Sequence, residues 1–353
     1  MKKLGIVLMS FVTILLLSGC QQTDNKLYVL NWGEYIDQDL VAEFEALHDV
    51  TVIYEEVGSN EEMEVKIKSG VTNYDIAFPS DYMIDKLRQQ GLLNEIDYDL
   101  LNGFDDVSLL PEVKALYEDE AYAPYLVPYF WGTIGIMYNT DTVDEADLTG
   151  WDVLFTNEHG YKMGMYDSAR DAIASALLYL DEDVNTADET VLNNAKQALN
   201  NTAYDVFGED NLKGYVHSGN LDLALVYSGD YFDEMYTAEA DGETINFAFY
   251  VPEKTNVWID GFVIPKSSQN LSLAHEFINF FLHHDRSVRN ADWVGYAPVL
   301  EEVYNTMVSD EYGYDYDNYH PYPDGSERVI YQYISQERFE LLNAILNEVK
   351  ANQ

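Results

Sequence analysis

Residues 27–54 read LYVLNWGEYIDQDLVAEFEALHDVTVIY. The run Leu27-Tyr28-Val29-Leu30 has the make-up of a buried strand. Leu40, Val41, Phe44 and Leu47 then recur at helical spacing over residues 37–48, and residues 50–54 return to a strand. Strand, helix and strand with short connections form a crossover unit, so the two strands must lie parallel. The theme recurs in a strand at 74–78 and a helix at 82–90 that Gly91 ends. The chain is therefore expected to be an α/β protein.

Residues 129–138 (YFWGTIGIMY) are β-rich and punctuated by glycine, and mark the place where the chain passes into a second domain. A second α/β block follows, with helices at 168–180 and 189–199 and a strand at 221–227. Residues 256–264 are again strand-like up to Pro265, and 271–282 form a strongly apolar helix. Two lobes joined by more than one crossing strand would enclose a hinged cleft. The acidic, Tyr-rich segment 309–324 reads as a solvated loop: Asp315 and Asp317 alternate, but the Gly and distal Glu of a calcium loop are missing at the right offsets.

A chain of 353 residues with 47% hydrophobic content suits two globular domains. It opens with Met1-Lys2-Lys3, an apolar run over 4–17, and Leu17-Ser18-Gly19-Cys20, the layout of a secretory signal. That run is too short for a membrane span. Leu-Ser-Gly-Cys is similar to the lipobox of bacterial lipoproteins, which implies that Cys20 becomes the first mature residue and carries a lipid anchor; the alternative is an uncleaved signal before a buried thiol. As the single cysteine, Cys20 leaves no disulfide or Cys-based zinc site within one chain. The formal charge is −44, and without residues 1–19 it is −46, from 17 basic and 63 acidic residues. Nucleic acid is excluded as a partner. An acidic surface concentrates cations, but it also serves plain solubility.

Ligands of open α/β sheets sit past the carboxyl ends of the strands. Past the first strand come Trp32, Gly33, Glu34 and Tyr35, two aromatic faces and a carboxylate in one turn. Past the third come Ser80 and Tyr82, where Ser80 has an alternative role as a helix N-cap. In strand 256–264 alternation places Trp258, Asp260 and Phe262 on one face, with Val257, Ile259 and Val263 on the core face. A carboxylate between two aromatics must be solvated, paired or bound, because burying it alone is costly. Ser168 and Asp171 fit a capping box; the competing reading turns Asp171 into the cleft as a second anion. Paired acids such as Asp260 with Asp171 or Glu34 would also suit a glycoside hydrolase, yet no nucleophile elbow, phosphate loop, dinucleotide turn or His-Glu-x-x-His accompanies them.

The motifs Asn31-Trp32-Gly33-Glu34-Tyr35, Pro79-Ser80-Asp81-Tyr82, Asp167-Ser168-Ala169-Arg170-Asp171, Trp258-Ile259-Asp260 and Val294-Gly295-Tyr296 stand in the order of the periplasmic spermidine/putrescine-binding proteins. The chain resembles that family over nearly its whole mature length. The resemblance implies a type II periplasmic-binding-protein-like fold with the ligand between two lobes. It divides the chain into a signal peptide at 1–19, lobe 1 at 20–132 and 259–299, and lobe 2 at 133–258 and 300–353. The family's aromatic walls match Trp32, Tyr35, Tyr82, Trp258 and Tyr296, and its main amine-binding carboxylate matches Asp260. Asp171 stands where the family often has Glu, Ser168 where spermidine binders have Asp, Tyr227 where they have Trp, and Gln332 at a late Gln. The implied partners are a polyamine, the membrane permease of an ABC transporter, and the membrane through the lipid anchor. A monomer is expected, with no cofactor, metal or catalytic residue. The alternatives are a binding protein for another organic cation or a metal chelate, and an extracellular glycoside hydrolase.

Overall fold

A computed structural model describes residues 25–102, 108–118, 120–312, 314 and 326–353. The signal stretch, Cys20 and most of the 309–324 loop lie outside the described residues. The opening crossover unit is as expected: β1 (Lys26–Trp32) pairs in parallel with β2 (Thr51–Val57) across α1 (Gln38–His48). Asp37 starts that helix by accepting from the Asp39 amide, and Asp49 ends it in the left-handed region at φ 52°. After α2 (Asn60–Ser69), β3 (Ile76–Ala77) joins the free side of β1 in parallel. Then come α3 (Asp81–Gln89), β4 (Leu93–Asn94) and α4 (Pro111–Tyr117). Leu27, Val29 and Leu30 are fully buried, as a parallel sheet covered by helices requires.

The 129–138 segment is where the chain changes sheets. It holds two fully buried strands, β5 (Val127–Gly132) and β6 (Ile134–Asn139), separated by Thr133 alone. Beyond β6 come α5 (Val153–Thr156), β7 (Met163–Tyr166), α6 (Ala169–Tyr179), α7 (Glu189–Asn201) and β8 (Val206–Gly208). The lobe continues with α8 (Asn211–His217), β9 (Leu223–Tyr227), α9 (Ser228–Asp241) and β10 (Phe247–Tyr250). Its sheet has the order β10-β6-β9-β7-β8. The return strand β11 (Lys254–Phe262) lies antiparallel on β5. After it come β12 (Ile264–Pro265), α10 (Leu271–Leu282), α11 (His284–Val294) and β13 (Ala297–Pro298). The chain ends with α12 (Glu301–Met307), β14 (Glu327–Ile330) and α13 (Gln336–Asn352). A sheet of order β13-β5-β11-β14 gathers the crossing strands; α12 packs on α11, and α13 on α6 and α7.

The two crossings are tied side by side. Thr133 Oγ1 donates to the Asn256 carbonyl at 2.6 Å, the Ile134 amide donates to Asn256 Oδ1 at 2.8 Å, and Thr255 Oγ1 donates to the Ile134 carbonyl at 2.9 Å. Thr133, Thr255 and Asn256 have no exposure, so these bonds satisfy groups that burial would otherwise penalise.

Strand β11 keeps its alternation from Asp260 to Val263, in constant register with residues 77–80. Its register on β5 shifts between Asp260, opposite Phe130, and Gly261, opposite Pro128, so the extra residue of this bulge is Tyr129 of β5. Gly261 is required there, since a Cβ would stand 2.0 Å from Leu126 Cδ1 and 2.5 Å from the Val127 carbonyl oxygen. Phe262, two residues on from Asp260 along the same face, lies past the cleft. It is 1% exposed and packs on Phe78, Tyr129 and Phe281 in the core of the first lobe.

Candidate ligand-binding cleft

A cleft of about 1080 Å3 lies between the lobes, at the carboxyl ends of β1, β3, β7 and β9 and along β11. Twelve of the thirteen residues expected at the site line it: Trp32, Gly33, Glu34, Tyr35, Ser80 and Tyr82 from the first lobe, Ser168 and Tyr227 from the second, with Trp258, Asp260, Tyr296 and Gln332. Asp171 does not line it. That carboxylate is fully buried behind the cleft wall, where it accepts from Arg170 Nη2 at 3.2 Å and from the Tyr227 hydroxyl at 2.8 Å. Its amide donates to Ser168 Oγ at 3.4 Å, so Ser168 does cap α6. Ser80 holds the N-cap position of α3, but its hydroxyl makes no capping bond; it accepts from Asn60 Nδ2 at 3.0 Å.

The aromatic side chains are held by local packing. Trp32 Nε1 donates to the Phe78 carbonyl at 2.7 Å, which fixes the indole plane. Tyr35 meets Tyr129, Phe130 and Tyr296 edge to face, with centroids 5.5–5.6 Å apart. Trp258 stands edge-on to Tyr296 at 5.4 Å and to Tyr227 at 6.0 Å. Two glycines admit these rings: a Cβ on Gly132 would lie 2.4 Å from the Trp258 ring, and one on Gly229 would lie 2.1 Å from the Tyr296 ring.

Within this frame Asp260 is 6% exposed. Its Oδ2 accepts from the Tyr35 hydroxyl at 3.1 Å, while Oδ1 makes no hydrogen bond. Burial pushes its pKa up to about 6, against the pull of Ser80, Tyr35 and Arg170 toward the ionised form. An ionised carboxylate with a free oxygen, walled by aromatic faces, is a site for a cation.

Three features went unread in the sequence. Arg170 sits inside a quoted motif, yet its guanidinium lies 4.4 Å from the Tyr82 ring centroid and 4.9 Å from that of Tyr331. Asp230 lines the cleft at 6% exposure, accepting from the Tyr227 amide at 3.1 Å and the Tyr296 hydroxyl at 3.5 Å. Burial, reinforced by the charge of Asp210, raises Asp230 to about 7, with Lys213 opposing. It stands three residues past β9, so the strand-end rule that selected Tyr35 and Tyr82 would have found it. Asp81, buried behind the cleft, is raised to about 7, again by burial. Among the described residues no group of three or more His, Cys, Asp or Glu could hold a metal ion.

Two α/β lobes, strands that cross between them and a ligand-sized cleft at the crossing define a solute-binding protein. The family model described as bacterial extracellular solute-binding protein matches residues 39–315, and the chain belongs to that family. A spermidine/putrescine-binding periplasmic protein of Escherichia coli is 30% identical over 282 residues, 77% of each chain. The solved spermidine/putrescine ABC transporter substrate-binding protein of Streptococcus pneumoniae is 30% identical, with TM-score 0.76 over 93% of this chain and 99% of that one. A solved lipoprotein of Treponema pallidum is 27% identical, with TM-score 0.77 over 92% of this chain and 99% of that one.

Proposed function

We propose that this chain captures a polyamine, spermidine or putrescine, outside the cytoplasm and hands it to the membrane permease of an ABC importer. The observation that carries this reading is Asp260, a buried carboxylate with one oxygen free between aromatic faces. A polyamine is a flexible methylene chain bearing ammonium groups. Aromatic faces cover the methylenes and attract each ammonium by about 0.5–2 kcal/mol. Carboxylates set the register, and Asp230 supplies a second one beside Tyr296 and Tyr227. The names borne by the relatives in Escherichia coli and Streptococcus pneumoniae support the same ligand class.

In this assignment Trp32, Tyr35, Tyr82, Tyr227, Trp258 and Tyr296 are the walls, Asp260 is the leading amine ligand, and Gly33, Glu34, Ser80, Ser168 and Gln332 complete the contacts. The lobes divide at Thr133 and within β11; α12, expected in the second lobe with residues 300–353, is counted instead to the first because it packs on α11. The protein acts as a monomer, since one chain's residues complete the cleft, and as a carrier rather than an enzyme, in keeping with the solute-binding family to which it belongs. Cys20 carries the anchor to the outer face of the membrane, a reading supported by Leu17-Ser18-Gly19-Cys20 and by the lipoprotein name of the Treponema relative.

Calorimetric titration with putrescine, spermidine, arginine, neutral sugars and a metal chelate tests the assignment. Saturable binding of the two polyamines above all others is expected. Binding of a sugar or chelate in preference to both amines refutes it.

A further inference from the structure

Four basic residues line a cleft assigned to cations: Lys86, Arg170, Lys213 and Arg338. None can serve as a contact for an ammonium ligand, because like charges repel. Two are engaged within their own lobe: Lys213 pairs with Asp233 at 2.5 Å, and Arg338 donates to the carbonyls of Val184 and Thr186. The other two cross the cleft. Lys86 belongs to α3, which packs on α2 and β11 in the first lobe. Its ammonium lies 4.7 Å from the ring centroid of Phe339 and 5.2 Å from that of Tyr333, on the segment whose helix α13 packs on α6 and α7 of the second lobe. Arg170 makes the reciprocal contact, from the second lobe onto Tyr82 of the first.

Lys86 is placed with care for a charge that is 1% exposed. Its Nζ stands 2.8 Å from Glu64 Oε2. The other oxygen of Glu64 accepts from Gln90 Nε2 at 3.0 Å and lies 3.4 Å from Lys68 Nζ, so the carboxylate is fixed on its own lobe. The ammonium is thus neutralised from behind and presented to two rings ahead. A cation–π contact is strongest when the charge is desolvated in this way.

We propose that Lys86 is a positioning residue for ligand capture, an internal cation that clamps the second lobe through Tyr333 and Phe339 and holds the cleft closed before a ligand arrives. Closure then costs the ligand less binding energy, because part of the closed population already exists. The clamp acts on closure alone, so it raises affinity for every ligand of the cleft by the same factor and leaves selectivity untouched.

The test uses the full chain carrying Cys20→Ser, with spin labels on cysteines introduced at Val71 and Asp241, exposed sites on opposite lobes. Interlobe distances are measured with and without putrescine. In Lys86→Met the ligand-free distances lengthen, saturating putrescine restores the parental distance, and putrescine and spermidine affinities fall together by about ten- to thirtyfold. Tyr333→Leu with Phe339→Leu leaves the Lys86–Glu64 pair in place and gives the same result, which separates the clamp from any misfolding caused by a stranded Glu64. Parental ligand-free distances in both variants overturn the proposal, as do unchanged affinities or a change in the ratio between the two amines. The inference rests on the polyamine reading only for the affinities: a parent that binds neither amine sinks that reading, while the ligand-free distances still decide the clamp.

Discussion

Replacing Asp260 with Asn should separate what this residue does for binding from what it does to the fold. The change keeps the size of the side chain and an oxygen to accept from the Tyr35 hydroxyl, now 3.1 Å away, but removes the charge. In the folded, ligand-free protein burial raises the carboxyl to about 6, against about 3.9 in an unfolded chain. Ionising it at pH 7 therefore costs the fold about 3 kcal/mol, at 1.36 kcal/mol per pKa unit. Asn carries no such cost, so the ligand-free variant should be more stable by about 1–3 kcal/mol, the range allowing for the weaker amide acceptor. Binding should move the other way. A charge-assisted contact is worth about 1.5–3 kcal/mol, so polyamine affinity should drop by about ten- to a hundredfold. Thermal unfolding without ligand and titration calorimetry with putrescine and spermidine measure the two effects on the same preparation. Unchanged affinity in the folded variant refutes Asp260 as the amine ligand, and a lower melting temperature refutes the buried-charge argument.

Acidification should weaken binding while strengthening the ligand-free fold: Asp81, Asp230 and Asp260 are all raised, so their stabilising contribution is full below about pH 4 and lost as pH rises through about 6 to 7. Melting curves from pH 8 to pH 5 should shift upward, and calorimetry should show affinity falling by about tenfold from pH 7 to pH 5 as Asp260 protonates. Gly229→Ala should displace the Tyr296 ring, which a Cβ would meet at 2.1 Å, and lower affinity for both amines by about tenfold or more; a variant titrating like the parent would show that this ring is no part of the site. Ser168→Asp should raise affinity for spermidine more than for putrescine in competitive titration; equal gains, or none, would leave Ser168 as the cap of α6 alone. Cys20→Ser should release the protein from the membrane fraction of the native host, and identical fractionation of variant and parent would rule out the anchor.

The opening crossover unit was legible because its determinants are local. Helical spacing of Leu40, Val41 and Phe44 between two apolar runs leaves only a parallel pairing, and β1, α1 and β2 lie within three residues of the expected bounds. The cleft aromatics and Asp260 were legible for a related reason: side chains at strand ends and on one face of a strand are set by backbone period, which is written in the sequence. What the sequence left open depends on partners far along the chain. Phe262 keeps the face of Asp260 yet stays out of the cleft, because Phe78 and Tyr129, more than a hundred residues away, bury it in the first lobe. Asp171 left the cleft because Arg170 and Tyr227 reach it first, and no periodicity records which of two neighbouring charges will turn inward. Arg170 over Tyr82, and Lys86 over Phe339, exist only once the lobes meet. Backbone period and apolar spacing determined the elements and which residues reach the cleft; the tertiary structure decided how the buried charges pair, because pairing energy depends on distances that the fold alone creates.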